Sequence, residues 1–186
     1  MKKILVLVIA VGSLALQQPL FAALEDFTVS LNGAQDGGGA RTGSGSGTLT
    51  LDTVANTLTF NNISWGGLSA DTTASHIHGP AAAGANTGVI YFLSSPATFT
   101  TTGAGIRSGT ISGTMSLANP TQNGVSYSVA SQISDLQNGL WYVNVHSTAF
   151  PGGEIRGQIL QVPEPSTLAL FGLGVGALAW RLRKRN

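Results

Sequence analysis

The residues of this chain best suited to chemistry are its three histidines, two of which form the pair His76-Ile77-His78. Successive side chains of a β-strand point to opposite faces, so an apolar Ile77 in a core would place both imidazoles on the other face. Two imidazoles at this spacing can bind one metal ion, and a third from a neighbouring strand would add another ligand. The sequence therefore suggests His76, His78 and His146 as ligands of copper or zinc.

The third histidine lies in residues 140–160 (LWYVNVHSTAFPGGEIRGQIL), a segment in which apolar and polar residues alternate. We predict a hairpin here, with strands over 140–148 and 154–160 and a turn through 151–153. One face would carry core residues, namely Trp141, Val143, Val145, Ile155 and Ile159. A turn centred near Pro151 would place His146 opposite Arg156 and Asn144 opposite Gln158.

The same face offers a structural alternative to a metal site, namely a polar network of Asn144, Glu154 and Arg156 with the histidines. Such a network would fix the register of the hairpin against the strand that carries His76. Glu154 and Arg156 are two residues apart, so they would share a face as a solvated ion pair. The sequence has neither a Ser–His–Asp arrangement nor paired carboxylates at catalytic spacing, so we do not expect an enzyme.

Period-two alternation, with turn residues between the runs, predicts the elements that must position these side chains. The predicted strands include residues 27–31, 48–51, 57–60, 89–93, 111–117 and 125–129, and a helical turn is predicted over 131–137. Many short strands favour an all-β fold. We predict an antiparallel β-sandwich of the immunoglobulin-like or superoxide-dismutase-like Greek-key kind, flanked by an N-terminal signal helix and a C-terminal transmembrane helix.

The central part of the chain, residues 24–162, has the length of one domain. It contains three arginines, no lysine and seven carboxylates, which give a formal charge of −4, whereas the whole chain is +1. So few cations argue against a nucleic-acid partner. The chain has no cysteine, so packing and sheet hydrogen bonds must stabilise the domain without disulfides.

The N-terminus has the order of features typical of a secretory signal peptide over residues 1–23. Lys2 and Lys3 precede an apolar run over 4–16, which is too short for a membrane span. The run is broken by Gln17, Gln18 and Pro19, and small residues allow cleavage after Ala22 or Ala23. The sequence therefore predicts export.

The C-terminus has three parts, which are the motif Pro163-Glu164-Pro165, an apolar segment over 166–180 and a basic end over 181–186. The apolar segment would be about 22 Å long as a helix, and interfacial Trp180 and arginine side chains can bring it closer to the membrane thickness. The basic end favours a cytoplasmic position, which places the preceding chain outside the inner membrane.

This tail resembles the PEP-CTERM sorting signal. The resemblance implies processing by an exosortase-type membrane protease in a Gram-negative bacterium that makes exopolysaccharide. The tail would then be a removable address, and a permanent membrane anchor is the structural alternative.

Four segments between residues 26 and 160 resemble the CHRD domain in order, namely LNGAQ at 31–35, HIHG at 76–79, YVNVH at 142–146 and GGEIRGQ at 152–158. The resemblance implies an extracellular β-sandwich without an established catalytic activity. The chain departs from the family pattern in DGGG at 36–39, which predicts a loose loop there.

These features predict an exported, non-enzymatic module at the cell surface or in the extracellular matrix. The expected role is adhesion or matrix organisation, with exopolysaccharide or surface proteins as partners. The alternative is an extracellular copper- or zinc-binding protein that uses the three histidines.

The tail prediction can be tested by deleting residues 163–186. Since these residues are expected to carry the whole sorting signal, the truncated protein should still be exported but should no longer be retained in the membrane or delivered to the surface. Cell fractionation with immunodetection measures this. An unchanged distribution would show that the tail is not the address.

Overall fold

A computed structural model describes residues 24–37, 39–93, 100–102, 106–122, 125–162 and residue 183. The predicted signal peptide, the Pro163-Glu164-Pro165 motif and the predicted transmembrane segment 166–180 lie outside these residues. In the described part of the chain, no helix is long and apolar enough to span a membrane.

The described residues form one α-helix, a 3-10 helix and short strands. The helices are α1 (Val129–Gln137) and the 3-10 helix Ala34–Asp36. The strands are β1 (Leu24–Asn32), β2 (Ser44–Asp52), β3 (Thr57–Gly66), β4 (Thr72–His78), β5 (Val89–Phe92), β6 (Thr100–Thr102), β7 (Gly109–Ser116), β8 (Thr121–Gln122), β9 (Val125–Ser126), β10 (Tyr142–Ser147) and β11 (Ile155–Gln161).

Nine of these strands form one antiparallel sheet in the order β5-β4-β10-β11-β1-β2-β3-β7-β6, and β8 pairs with β9 separately. The sheet is curled, and its inner face carries the hydrophobic core. The predicted all-β antiparallel class is confirmed. The first and last strands of the domain are neighbours, so β11 lies in the middle of the sheet between β10 and β1.

Local sequence explains most of these elements. Phe27, Val29 and Leu31 alternate with exposed polar residues along β1, and all three are at most 1% exposed. The turn between β2 and β3 is fixed by Asp52, whose Oδ1 accepts hydrogen bonds from the N–H groups of residues 54 and 55. Such a side-chain acceptor is the usual reason for Asp at the start of a turn.

The predicted strand over 125–129 is wrong beyond Ser126. Ser128 is the N-cap of α1, and its side chain accepts a hydrogen bond from the N–H of Ser131. Serine is a favoured N-cap because its oxygen satisfies an N–H group that has no partner within the helix. Helix α1 therefore begins at Val129, two residues before the predicted helical turn.

Strand β10 is buried on both of its faces. Trp141, immediately before it, and Val143 and Val145 within it join the core, as predicted. Tyr142, Asn144 and His146 point to the other face and are also at most 7% exposed, because loops cover that face. The alternation of apolar and polar residues along β10 therefore does not correspond to one buried and one exposed face.

The pairing of β10 with β11 also differs from the predicted register. Asn144 lies opposite Arg156, and Tyr142 lies opposite Gln158. The register is shifted by two residues, so each side chain keeps its predicted face but has another neighbour. The predicted proximity of His146 to Arg156 as ladder partners is therefore wrong.

The central position of β11 gives a testable packing constraint at Gly157. A Cβ atom at this residue would overlap the carbonyl oxygen of Ser30 on β1, and a backbone atom cannot rotate away. We expect Gly157→Ala to lower the free energy of unfolding by about 2–3 kcal/mol, as in other overpacked interiors. Urea unfolding followed by circular dichroism measures this change.

The matched control is Gly152→Ala, since a Cβ atom there would meet nothing within 4 Å. This variant should change the free energy of unfolding by less than about 1 kcal/mol. Equal effects of the two substitutions would contradict the packing argument.

Candidate metal centre

The three histidines come together on the loop-covered face of the sheet. His76 and His78 lie on β4, and His146 lies on the adjacent strand β10, where His76 pairs with Asn144 and His78 with Tyr142. One donor nitrogen from each imidazole can be chosen so that all three lie within 4.8 Å of one another. The strand parity inferred from Ile77 is correct, since Ile77 is fully buried on the core side.

Two backbone carbonyls fix the tautomers of the two more deeply buried histidines. Nδ1 of His78 lies 2.9 Å from the carbonyl oxygen of Thr87, and Nδ1 of His146 lies 2.9 Å from that of Pro151. A carbonyl oxygen only accepts, so both Nδ1 atoms must carry the proton. In the neutral imidazoles each Nε2 atom therefore carries a lone pair, which is the arrangement found in most histidines that bind metals.

The remaining ring nitrogens face one another. Nδ1 of His76 lies 3.0 Å from Nε2 of His146, and Nε2 of His78 is buried without a hydrogen-bond partner. A buried polar atom without a partner is costly unless something in the site satisfies it. Since Nε2 of His78 is a lone pair, the missing group is a proton donor or a cation.

Burial favours the neutral form of two of the imidazoles, His76 and His78. The pKa of His76 is lowered to about 4 by burial, with further repulsion from His146 and His78. Burial also lowers the pKa of His78, although its bond to the Thr87 carbonyl opposes this. Neutral imidazole is the form that binds metal, so both rings are ready to bind near neutral pH.

The distances are compatible with a single ion. Nitrogen ligands at 2.0–2.1 Å from a tetrahedral zinc lie about 3.3 Å from one another. The pair formed by His76 and His146 is already near this separation. The outer limit of 4.8 Å for the cluster requires a shift of about 1.5 Å at most, which is within the reach of side-chain rotation.

A second layer of contacts holds His78 in place. Its ring is stacked on Tyr142, with centroids 5.0 Å apart and planes 9° apart. The guanidinium of Arg156 lies over the ring of Tyr142, 4.8 Å from its centroid. The Tyr142 hydroxyl also accepts a hydrogen bond from the N–H of Thr87, the residue whose carbonyl fixes His78.

Asp36 joins this layer and was missed by the sequence analysis. Its carboxylate lies 3.7 Å from Nη1 of Arg156 and 3.8 Å from Nε of Arg41. Burial raises the pKa of Asp36, and the two arginines oppose that shift. The loop predicted to be loose, residues 36–39, therefore starts at the anchored last residue of the 3-10 helix. The signal available in the sequence was the acidic residue that follows LNGAQ.

The predicted ion pair between Glu154 and Arg156 is not observed, and neither residue is solvated. Glu154 is fully buried, and its Oε1 accepts a hydrogen bond from the N–H of Ser69 at 2.6 Å. Arg156 is 3% exposed and donates to the side chain of Asn86 and to the carbonyl oxygen of Gln35. Each side chain contacts a loop in place of the other, and Oε2 of Glu154 is buried without a hydrogen-bond partner.

Asn144, the third member of the predicted network, lies between the two groups. It pairs with His76 on one side and with Arg156 on the other. A Cβ atom at Gly153 would overlap the side chains of Asn144 and Asp36, so the turn can approach them only with glycine. Gly153 also has φ of +130°, a conformation that favours glycine.

Comparisons with known proteins agree with this arrangement of parts. The family model described as CHRD domain matches residues 27–159. The model described as PEP-CTERM protein-sorting motif matches residues 161–184. No curated protein and no solved structure matches the chain.

The fold and the two matches define an extracellular β-domain that is followed by an exosortase-type sorting signal. The signal implies export and C-terminal membrane anchoring before display at the surface or outside the cell. The chain belongs to the CHRD-domain family, since that match covers more than half of its length.

The lowered pKa of His76 predicts how the stability of the metal-free protein depends on pH. The unfolded histidine titrates near 6.5, and the folded one near 4. Between these values the unfolded chain binds more protons, so the free energy of unfolding should fall as pH is lowered from about 6.5 to 4. Because His76 is only half-buried, we expect it to contribute about 1 kcal/mol.

Denaturant unfolding at a series of pH values measures this dependence. His76→Gln removes the titrating group, so the loss of stability over this range should be smaller in the variant. An identical pH dependence in both proteins would show that the environment of His76 does not disfavour its protonated form.

Proposed function

We propose that this domain is a non-enzymatic module that binds copper or zinc outside the cell through His76, His78 and His146. The observation that supports it best is the convergence of three donor nitrogens from two adjacent strands within 4.8 Å. The two carbonyl contacts that leave a lone pair on Nε2 of His78 and on Nε2 of His146 support the same proposal. A purely structural network would satisfy both nitrogens. Nε2 of His146 faces Nδ1 of His76, but Nε2 of His78 has no hydrogen-bond partner.

The chemistry of the donors supports copper or zinc over other ions. Imidazole nitrogen suits zinc and copper, whereas magnesium and calcium prefer oxygen ligands. The cluster contains three imidazoles and no thiolate or carboxylate. A single site of this kind lacks the bridging histidine that a two-metal dismutase centre would require.

The sorting signal supports a place for the module at the cell surface or in the exopolysaccharide matrix. We infer that adhesion or matrix organisation is its wider role, with polysaccharide or another surface protein as the partner. Metal bound in the domain would then serve structure or metal retention at that place. The small cation content of residues 24–162 argues against nucleic acid as a partner.

Metal binding can be tested on the purified full chain by elemental analysis after loading with Cu²⁺ or Zn²⁺. We expect one ion per chain, and His76→Ala/His78→Ala should reduce this to a small fraction because two of the three ligands are lost. The matched control is Asn61→Ala, an exposed residue on β3 whose side-chain amide donates a hydrogen bond to the hydroxyl of Thr50. It should keep full metal content.

Equal metal content in the double variant and the control would contradict the metal site. Circular dichroism of each variant shows whether a loss of metal reflects a loss of fold. An oxidase or dismutase activity that increases with bound metal and disappears in the double variant would contradict the non-enzymatic part of the proposal.

A further inference from the structure

We propose that the metal ion in this site keeps a coordination position for a small exogenous anion, which enters beside His76 and Phe92. This inference rests on the proposed function, since it concerns the ion held by the three histidines. It adds the chemical class of a second ligand and the path by which that ligand arrives.

The number of protein ligands leaves room for another donor. Zinc takes at least four ligands, and copper(II) prefers tetragonal arrangements of four or more. The cluster supplies three. All seven carboxylates of residues 24–162 lie in described parts of the chain, and none of them belongs to the cluster. The undescribed residues inside this range, namely 38, 94–99, 103–105 and 123–124, include no His, Cys, Asp or Glu.

Charge favours an anion in that position. Three neutral imidazoles leave a divalent ion with its full positive charge, whereas a carboxylate or thiolate ligand would reduce it. The guanidinium of Arg156 adds positive charge beside His78, since it lies over the Tyr142 ring on which His78 is stacked. Asp36 neutralises part of this charge, and Arg41 in turn lies beside Asp36.

A second unsatisfied atom lies on the same face of the sheet. Oδ1 of Asn144 is buried without a hydrogen-bond partner, and Asn144 is the strand neighbour of His76 and two residues from His146. A buried acceptor requires a donor. This face of the sheet therefore leaves two buried acceptors, Nε2 of His78 and Oδ1 of Asn144, without a protein donor.

The burial of the ligands shows where the position opens. His78 and His146 are only 8% and 7% exposed, whereas His76 is half-buried. Phe92 packs edge-on against His76, with ring centroids 4.8 Å apart and planes 85° apart, and is itself 64% exposed. An exogenous ligand therefore approaches past the Phe92 ring, at the edge of the sheet formed by β5.

Azide provides the test, because its coordination to copper(II) creates a ligand-to-metal charge-transfer absorption. The full chain is loaded with Cu²⁺, its copper content is measured, and azide is then titrated while visible absorption and electron paramagnetic resonance spectra are recorded. We expect a saturable new absorption band with one azide per copper. A spectrum that azide leaves unchanged would overturn the inference.

The two proposals fail in different ways. If the chain takes up no copper, the proposed function fails before azide is added. If copper binds at one ion per chain and azide changes neither spectrum, the metal site stands and the open position is refuted.

The path is tested with Phe92→Ala in stopped-flow mixing of azide with the copper-loaded protein. Removing the ring beside His76 should make azide association several-fold faster. Val54→Ala is the matched control, since Val54 is 54% exposed in the turn between β2 and β3. Equal association rates in the two variants would contradict entry past Phe92.

Discussion

The antiparallel pairing of β10 with both β4 and β11 is the constraint on which the rest of the structure depends. Its register brings His76 and His78 beside His146 on one face, and Val143 and Val145 into the core on the other. Side chains alternate along a strand, so a shift of one residue would exchange the two faces. Burial of the valines therefore fixes the face on which the imidazoles lie, whereas their alignment along the strands depends on the pairing of β10 with β4.

Loops fix the orientation of the imidazoles that this strand pairing brings together. Thr87 and Pro151 come from different connections, yet each places a carbonyl oxygen on one imidazole. Asp36 and Arg156 join a third connection to the same face by an ion pair with little exposure. Charges removed from water in this way are costly unless they are paired. This buried ion pair therefore holds the polar groups of this face in fixed positions.

The part of the site that the sequence could predict was the part determined by local periodicity. Ile77 between two histidines gave the face of His76 and His78, and the alternation around Val145 gave that of His146. The predicted hairpin register was wrong by two residues. The turn is held by backbone hydrogen bonds of Phe150 with Ser147 and Gly153, which alternation does not specify. Asp36 and the burial of Glu154 depend on loops packing across distant strands, which no spacing along the chain reveals. The predicted strand over 125–129 was too long because Ser128 caps the N-terminus of α1, although the residues around it alternate as in a strand.

The neighbouring positions of β1 and β11 have a consequence for the order of events during secretion. The N–H of Val162 still bonds the carbonyl oxygen of Asp26, so the last residues of the domain are joined to its first strand. Since β11 pairs with both β10 and β1, the two halves of the sheet are joined only when this last strand is in place. The chain emerging earlier has β1 and β10 with one edge each unpaired, and such edges are prone to wrong pairing. In an exported chain the domain can therefore mature only after β11 has been translocated. This strand lies immediately before the sorting signal.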